Sequence, residues 1–83
     1  MTCIATFYTY FGAMSFKRLC DGRGVSATLM PVPRALSSSC GTCVRFESDA
    51  PLPWAVSDGA DELEQIVECS DRGYRWVYRA EDP

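Results

Sequence analysis

Asp58-Gly59-Ala60-Asp61-Glu62-Leu63-Glu64-Gln65-Ile66-Val67-Glu68-Cys69-Ser70-Asp71-Arg72-Gly73 decides how the second half of this chain folds. Leu63, Ile66, Val67 and Ser70 recur at three- and four-residue spacing, the period of one helix face. Asp58, Asp61, Glu62, Glu64 and Glu68 crowd the same segment and suit a solvated helix face. The spacing predicts a helix that starts near Asp58, turns its apolar residues inward and stops at Gly73.

Working outward, Tyr74 to Arg79 alternates as a last strand. Tyr74, Trp76 and Tyr78 are expected on one side, and Arg75, Val77 and Arg79 on the other. Upstream, Pro51 and Pro53 before Trp54 deny regular structure, and Thr42 to Glu47 reads as a strand. At the N-terminus, Thr2 to Tyr8 is a strand whose Cys3, Ala5 and Phe7 share a face. Thr9 is the expected N-cap of a helix to about Asp21, with Ala13, Phe16, Leu19 and Cys20 inside and Gly22 and Gly24 as stops. Lys17, Arg18 and Arg23 near its end suit the negative pole of the helix dipole. Val25 to Val32 is the second strand, closed by Pro31-Val32-Pro33. The order is βαββαβ. The expected fold is therefore α+β and ferredoxin-like, one domain over residues 1–83, with a four-stranded antiparallel sheet and two helices on one face. Phe7, Phe16, Leu19, Leu29, Ile66 and Val67 form the expected interior. A sheet this small leaves its second face open, so a homodimer through that face, or a swapped sheet, is the alternative arrangement.

Hydrophobic residues make up 47% and charged residues 23% of the 83-residue chain, an ordinary globular balance for one modest core. The net charge of −3 argues against nucleic acid as a partner. No apolar run is long enough to span a bilayer, so no membrane role is expected. Met1 to Phe7 lacks a basic region followed by a long apolar run, which points to a cytoplasmic, reducing compartment. Five cysteines cannot all pair within one chain.

Chemistry concentrates in Pro33-Arg34-Ala35-Leu36-Ser37-Ser38-Ser39-Cys40-Gly41-Thr42-Cys43-Val44-Arg45-Phe46. A hydroxyl-rich, Gly-containing loop can turn backbone N–H groups toward an anion, and Arg34 and Arg45 add positive potential. Ser37, Ser38, Ser39 and Gly41 are the candidate binding residues beside those arginines. Gly41 is expected to permit a positive φ or the close approach of a partner. The plainer reading is a Ser/Gly connection beside a buried thiol, with both arginines as solvent-facing strand ends.

Pro33-Arg34-x-Leu36-Ser37-Ser38-Ser39-Cys40-Gly41, followed by Val44-Arg45-Phe46, resembles a family of small selenium/sulfur carrier-like proteins. Thr6-Phe7-Tyr8-Thr9 before the first helix is similar as well, and the likeness runs from Thr2 to about Glu47. It implies Cys40 as the working residue, with sulfur or selenium donor and acceptor proteins as partners. The chain departs from the family at Pro51, Pro53 and Trp54, which resemble an insertion, and at Cys43, where an apolar residue is expected.

Cys3 and Cys20 fall on apolar faces and read as small buried hydrophobes, and Cys69 reads as half-buried filler. Cys40, among small polar neighbours, reads as a nucleophilic thiolate able to hold a sulfur or selenium atom as a persulfide-type adduct and hand it on. Cys43 is either a resolving thiol, making Cys40 and Cys43 a CxxC dithiol switch, or a strand residue with accidental spacing. A closed zinc site needs four ligands, and one CxxC with no histidine falls short, so no metal and no cofactor are expected. No histidine is present as a general base, and no acid pair is spaced as a dyad. A carrier or accessory protein is expected rather than an enzyme, the alternatives being a non-catalytic interaction module and a Cys40/Cys43 redox protein.

Overall fold

The computed structural model describes residues 1–47 and 62–80. Its elements are β1 (Thr2–Phe7), α1 (Tyr10–Gly22), β2 (Ala27–Pro31), β3 (Thr42–Glu47), β4 (Leu63–Ser70) and β5 (Gly73–Arg79). They form one helix and a five-stranded open sheet in the order β2-β3-β1-β4-β5, with every neighbouring pair antiparallel. The fold is α+β, but it is not the expected βαββαβ with two helices over four strands. The start of the predicted second helix at Asp58 and the Pro51-Pro53-Trp54 segment lie outside the described residues.

The first half follows its sequence closely. Thr9 has extended backbone (φ −137°, ψ 160°), and its Oγ1 accepts the Gly12 N–H at 3.1 Å, so the N-cap satisfies one of the helix's orphan donors. Gly12 is required by packing: a Cβ there would lie 2.5 Å from Glu62 Cβ at the entrance to β4. Helix α1 crosses β1, β2 and β3. Phe7, Phe16 and Phe46 interlock beneath it with ring centroids 5.3 and 5.2 Å apart, surrounded by Cys3, Ala5, Ala13, Cys20, Val44, Leu63 and Ile66. Leu19 and Leu29, expected inside, are partly buried at the margin of this core.

The second half departs where Leu63, Ile66 and Val67 were read as a helix stripe. Leu63 to Ser70 is strand β4, lying between β1 and β5. Two features give a strand this helix-like spacing. Both faces are covered, so Ile66 turns toward α1 while its neighbour Val67 is buried on the opposite face with Ile4 and Cys43. The register with β1 also slips by one residue: Phe7 pairs with Leu63 and Thr6 with Gln65, leaving Glu64 as a bulge. The bulge restores Leu63 to the helix side and mimics an i, i+3, i+4 pattern. Gly73, expected to stop a helix, instead closes the β4–β5 hairpin at φ +114°, opposite Ser70. A second irregularity separates Trp76, opposite Val67, from Tyr78, opposite Ile66. Tyr78 packs against the helix-side core and Trp76 opposes the other face, so the expected common face of Tyr74, Trp76 and Tyr78 is broken.

Candidate functional site

Residues 32–41 connect β2 to β3 and fold back over the sheet face opposite α1. The Val32 N–H bonds the Gly41 carbonyl at 3.0 Å, extending the ladder by one step, and the Leu36 N–H turns back to the Pro33 carbonyl at 3.0 Å. Val32 and Leu36 then cover Ile4, Cys43 and Val67. Burying this small apolar cluster needs the loop as its lid, because no helix lies on this face among the described residues.

Polar groups fix the serines from below. The Gln65 side chain, 7% exposed, donates to the Ser37 carbonyl at 2.8 Å and accepts the Trp76 indole N–H at 2.8 Å. Ser38 Oγ donates to the Phe7 carbonyl at 3.3 Å. Ser39 donates to the Glu64 carboxylate from its backbone and, at 2.9 Å, from Oγ, while Thr6 Oγ1 donates to the same carboxylate at 3.0 Å. The bulge therefore has a local use: it presents Glu64 to the loop beside Gln65. The sequence reading passed over Glu64 and Gln65 as site residues. Their signal was a polar pair set between Leu63 and Ile66, which a helix would have placed on its wet side.

Cys40 follows this anchored run and is half-buried. Its N–H donates to Ser38 Oγ at 3.3 Å, and its sulfur accepts the Thr42 N–H at 3.4 Å. Arg34 is exposed in the turn, and Arg45 is exposed on β3 opposite Ile4; neither hydrogen-bonds Cys40. The charge of Arg45 acts on Cys69, with which it lines a cleft of about 460 Å³ together with Met30 and Tyr74. Gly41 is exposed, its φ is not positive, and a Cβ would meet nothing within 4 Å, so the expected left-handed conformation is absent.

The remaining thiols sort by burial. Cys3 and Cys20 lie in the helix-side core, and burial pushes each up from 9.0 to about 11. Cys43 is fully buried beneath the loop, where its S–H reaches toward the Pro31 carbonyl at 3.7 Å and burial pushes it up to about 11. Burial also raises Cys69, which Arg45 partly offsets. Cys40 and Cys43 are both free thiols. The structure thus does not display them as a CxxC pair. One is on the loop, and the other sits under it. Among the described residues, no group of three or more metal-ligating side chains converges, and no helix is long and apolar enough to cross a membrane.

A second cleft, of about 540 Å³, opens on the other side of the loop. Ser37, Ser38 and Ser39 form one wall, Trp76 and Arg79 of β5 the other, and Gln65 lies between them. The Arg79 guanidinium stacks over the Trp76 ring, 4.4 Å from its centroid. Trp76 and Arg79 had no place in the sequence reading of the site.

The model of one protein family, described as "Putative Se/S carrier protein-like", matches residues 2–52. No curated protein and no solved structure matches the chain.

Proposed function

Because the chain belongs to the Se/S carrier protein-like family, we propose that it is a thiol carrier whose Cys40 receives a sulfur or selenium atom from one protein and delivers it to another. The observation that carries this reading is the sorting of the five thiols. Cys3, Cys20 and Cys43 are buried in the apolar clusters and Cys69 packs against one of them, while Cys40 is half-buried on the anchored serine loop with an amide donor at its sulfur. In the sulfur case, the Cys40 thiolate attacks the outer sulfur of a donor persulfide. A new S–S bond forms at Cys40, the donor's own S–S bond breaks, and the donor leaves as a thiolate. Delivery is the same exchange run toward an acceptor thiolate, and no external oxidant or reductant enters. The Thr42 N–H is the donor positioned for negative charge on the Cys40 sulfur. Ser37, Ser38, Ser39 and Gly41 act by holding this geometry, and Arg34 and Arg45 act on the approach of a partner rather than on the sulfur. Burial of Cys43 speaks against a fast internal disulfide.

The test is intact-mass spectrometry under non-reducing conditions after incubation with a low-molecular-weight persulfide. A gain of one sulfur atom localised to Cys40, and lost in Cys40→Ser, is expected. No adduct, or an adduct that persists in Cys40→Ser, overturns the reading.

A further inference from the structure

The two edges of the sheet are finished differently. Strand β2 is five residues long, ends at Pro31 and runs into Pro33, and a proline offers no N–H to an incoming strand. Strand β5 is seven residues long with no proline, and the sheet ends there. Alternate residues of β5 therefore turn their N–H and C=O groups away from β4, unpaired by any described strand. Beside this bare edge, Trp76 is 59% and Tyr74 41% exposed, a large aromatic area for a surface strand.

Charge selects the occupant. Arg72, Arg75 and Arg79 are three of the chain's eight basic residues, and Arg72 to Arg79 contains no acid. Arg75 is bridged to Glu68 across the hairpin, whereas Arg79 lies on Trp76 with no carboxylate partner among the described residues, and Arg72 is exposed in the turn. Pairing β5 with a second copy of itself would set two arginine-bearing strands side by side. An extended segment carrying glutamate or aspartate meets the opposite sign.

We propose that the outer edge of β5, with the cleft between Trp76, Arg79 and the serine loop, is a docking surface for an extended acidic segment of a partner protein, which adds to the sheet as a sixth strand. The main-chain ladder supplies affinity, Trp76 and Tyr74 supply apolar contact, and Arg79 and Arg72 select for acid. Such a segment lies next to the loop that bears Cys40. Trp76 is joined to that loop through Gln65, which bonds the Trp76 indole and the Ser37 carbonyl with its two amide atoms. The surface stands whether or not Cys40 carries an atom, and its test reads binding alone.

The probe is a fluorescein-labelled peptide alternating glutamate with valine, titrated with the full chain by fluorescence anisotropy, beside a counterpart with lysine for glutamate. The acidic peptide should bind, more weakly as salt rises, and should shift the β5 amide resonances. Arg72→Glu/Arg79→Glu, which leaves the Arg75–Glu68 pair in place, should weaken it about tenfold and favour the lysine peptide instead. Arg72→Gln/Arg79→Gln, which removes the charges but keeps polar side chains, should lose part of the affinity with an unchanged circular dichroism spectrum. Equal binding of both peptides, or acidic binding indifferent to charge reversal, overturns the proposal. So does a dimer in sedimentation equilibrium that protects the β5 amides from exchange, since a second copy would then own the edge.

Discussion

The two faces of the sheet are built on different principles. Under α1, ten buried residues centred on Phe7, Phe16 and Phe46 form a continuous core closed by a capped helix. On the opposite face, among the described residues, Ile4, Cys43 and Val67 form a separate small buried cluster, and the lid is a loop held by side-chain hydrogen bonds involving Gln65, Glu64 and Ser38. Apolar area scales stability, so the helix face carries most of the folding free energy. The loop face is held by directional bonds, which place individual atoms at little gain in net stability. Motions of a loop held in this way need not open the core on the other face.

The contrast breaks first in the core. Phe16→Ala should cost about 3–5 kcal/mol in urea unfolding, whereas Val67→Ala on the loop face should cost about half of that or less. Equal losses would mean that the two faces share the burden. Alkaline pH sharpens the same point. Cys3, Cys20 and Cys43 titrate at about 11 when folded against 9.0 as ordinary thiols, so between these values the unfolded chain binds fewer protons than the folded one. Their contribution is full below about pH 9 and is lost as pH rises through 11, and the urea midpoint should fall across that window. Cys20→Ala should flatten the fall, and a midpoint constant from pH 9 to 11 would contradict the burial of these thiols.

Smaller effects are expected on the loop face. Gln65→Leu leaves the Trp76 N–H and the Ser37 carbonyl without their partner and should cost about 1–3 kcal/mol. Its distinguishing sign is faster hydrogen exchange confined to residues 36–41, with the α1 amides unchanged. Exchange that rises equally throughout would show the loop to be part of the core's cooperative unit. Cys40→Ser should be smallest, within about 0.5 kcal/mol, because the residue is half-buried and outside both apolar clusters. A larger loss would make Cys40 a structural residue.

What was legible in the sequence follows the same division. The capped helix, the inward faces of β1 and α1 and the strand at Thr42–Glu47 obey local rules, and Thr9, Phe7 and Phe16 stand where those rules put them. Strand β4 does not, because its burial pattern records a bulge and two covered faces, both set by partners distant in the chain. Single-period reasoning turned that pattern into a helix. The Ser37–Cys40 run was visible as chemistry, but its anchors were not, since Gln65 and Glu64 reach it across more than twenty residues. Arg34 and Arg45 flank Cys40 along the chain, while the hydrogen bond its sulfur accepts comes from the Thr42 N–H.

The bulge at Glu64 separates two things that one strand usually keeps together. Removing that single residue would leave Leu63 and Gln65 consecutive, opposite the consecutive Phe7 and Thr6, so the sheet would gain regularity. Ser39 and Thr6 would lose the carboxylate they share. A deletion of Glu64 would therefore leave the strand more regular and the serine loop without this anchor. The irregular strand thus couples the sheet to the loop: one extra residue in β4 supplies the carboxylate that Ser39 and Thr6 both use.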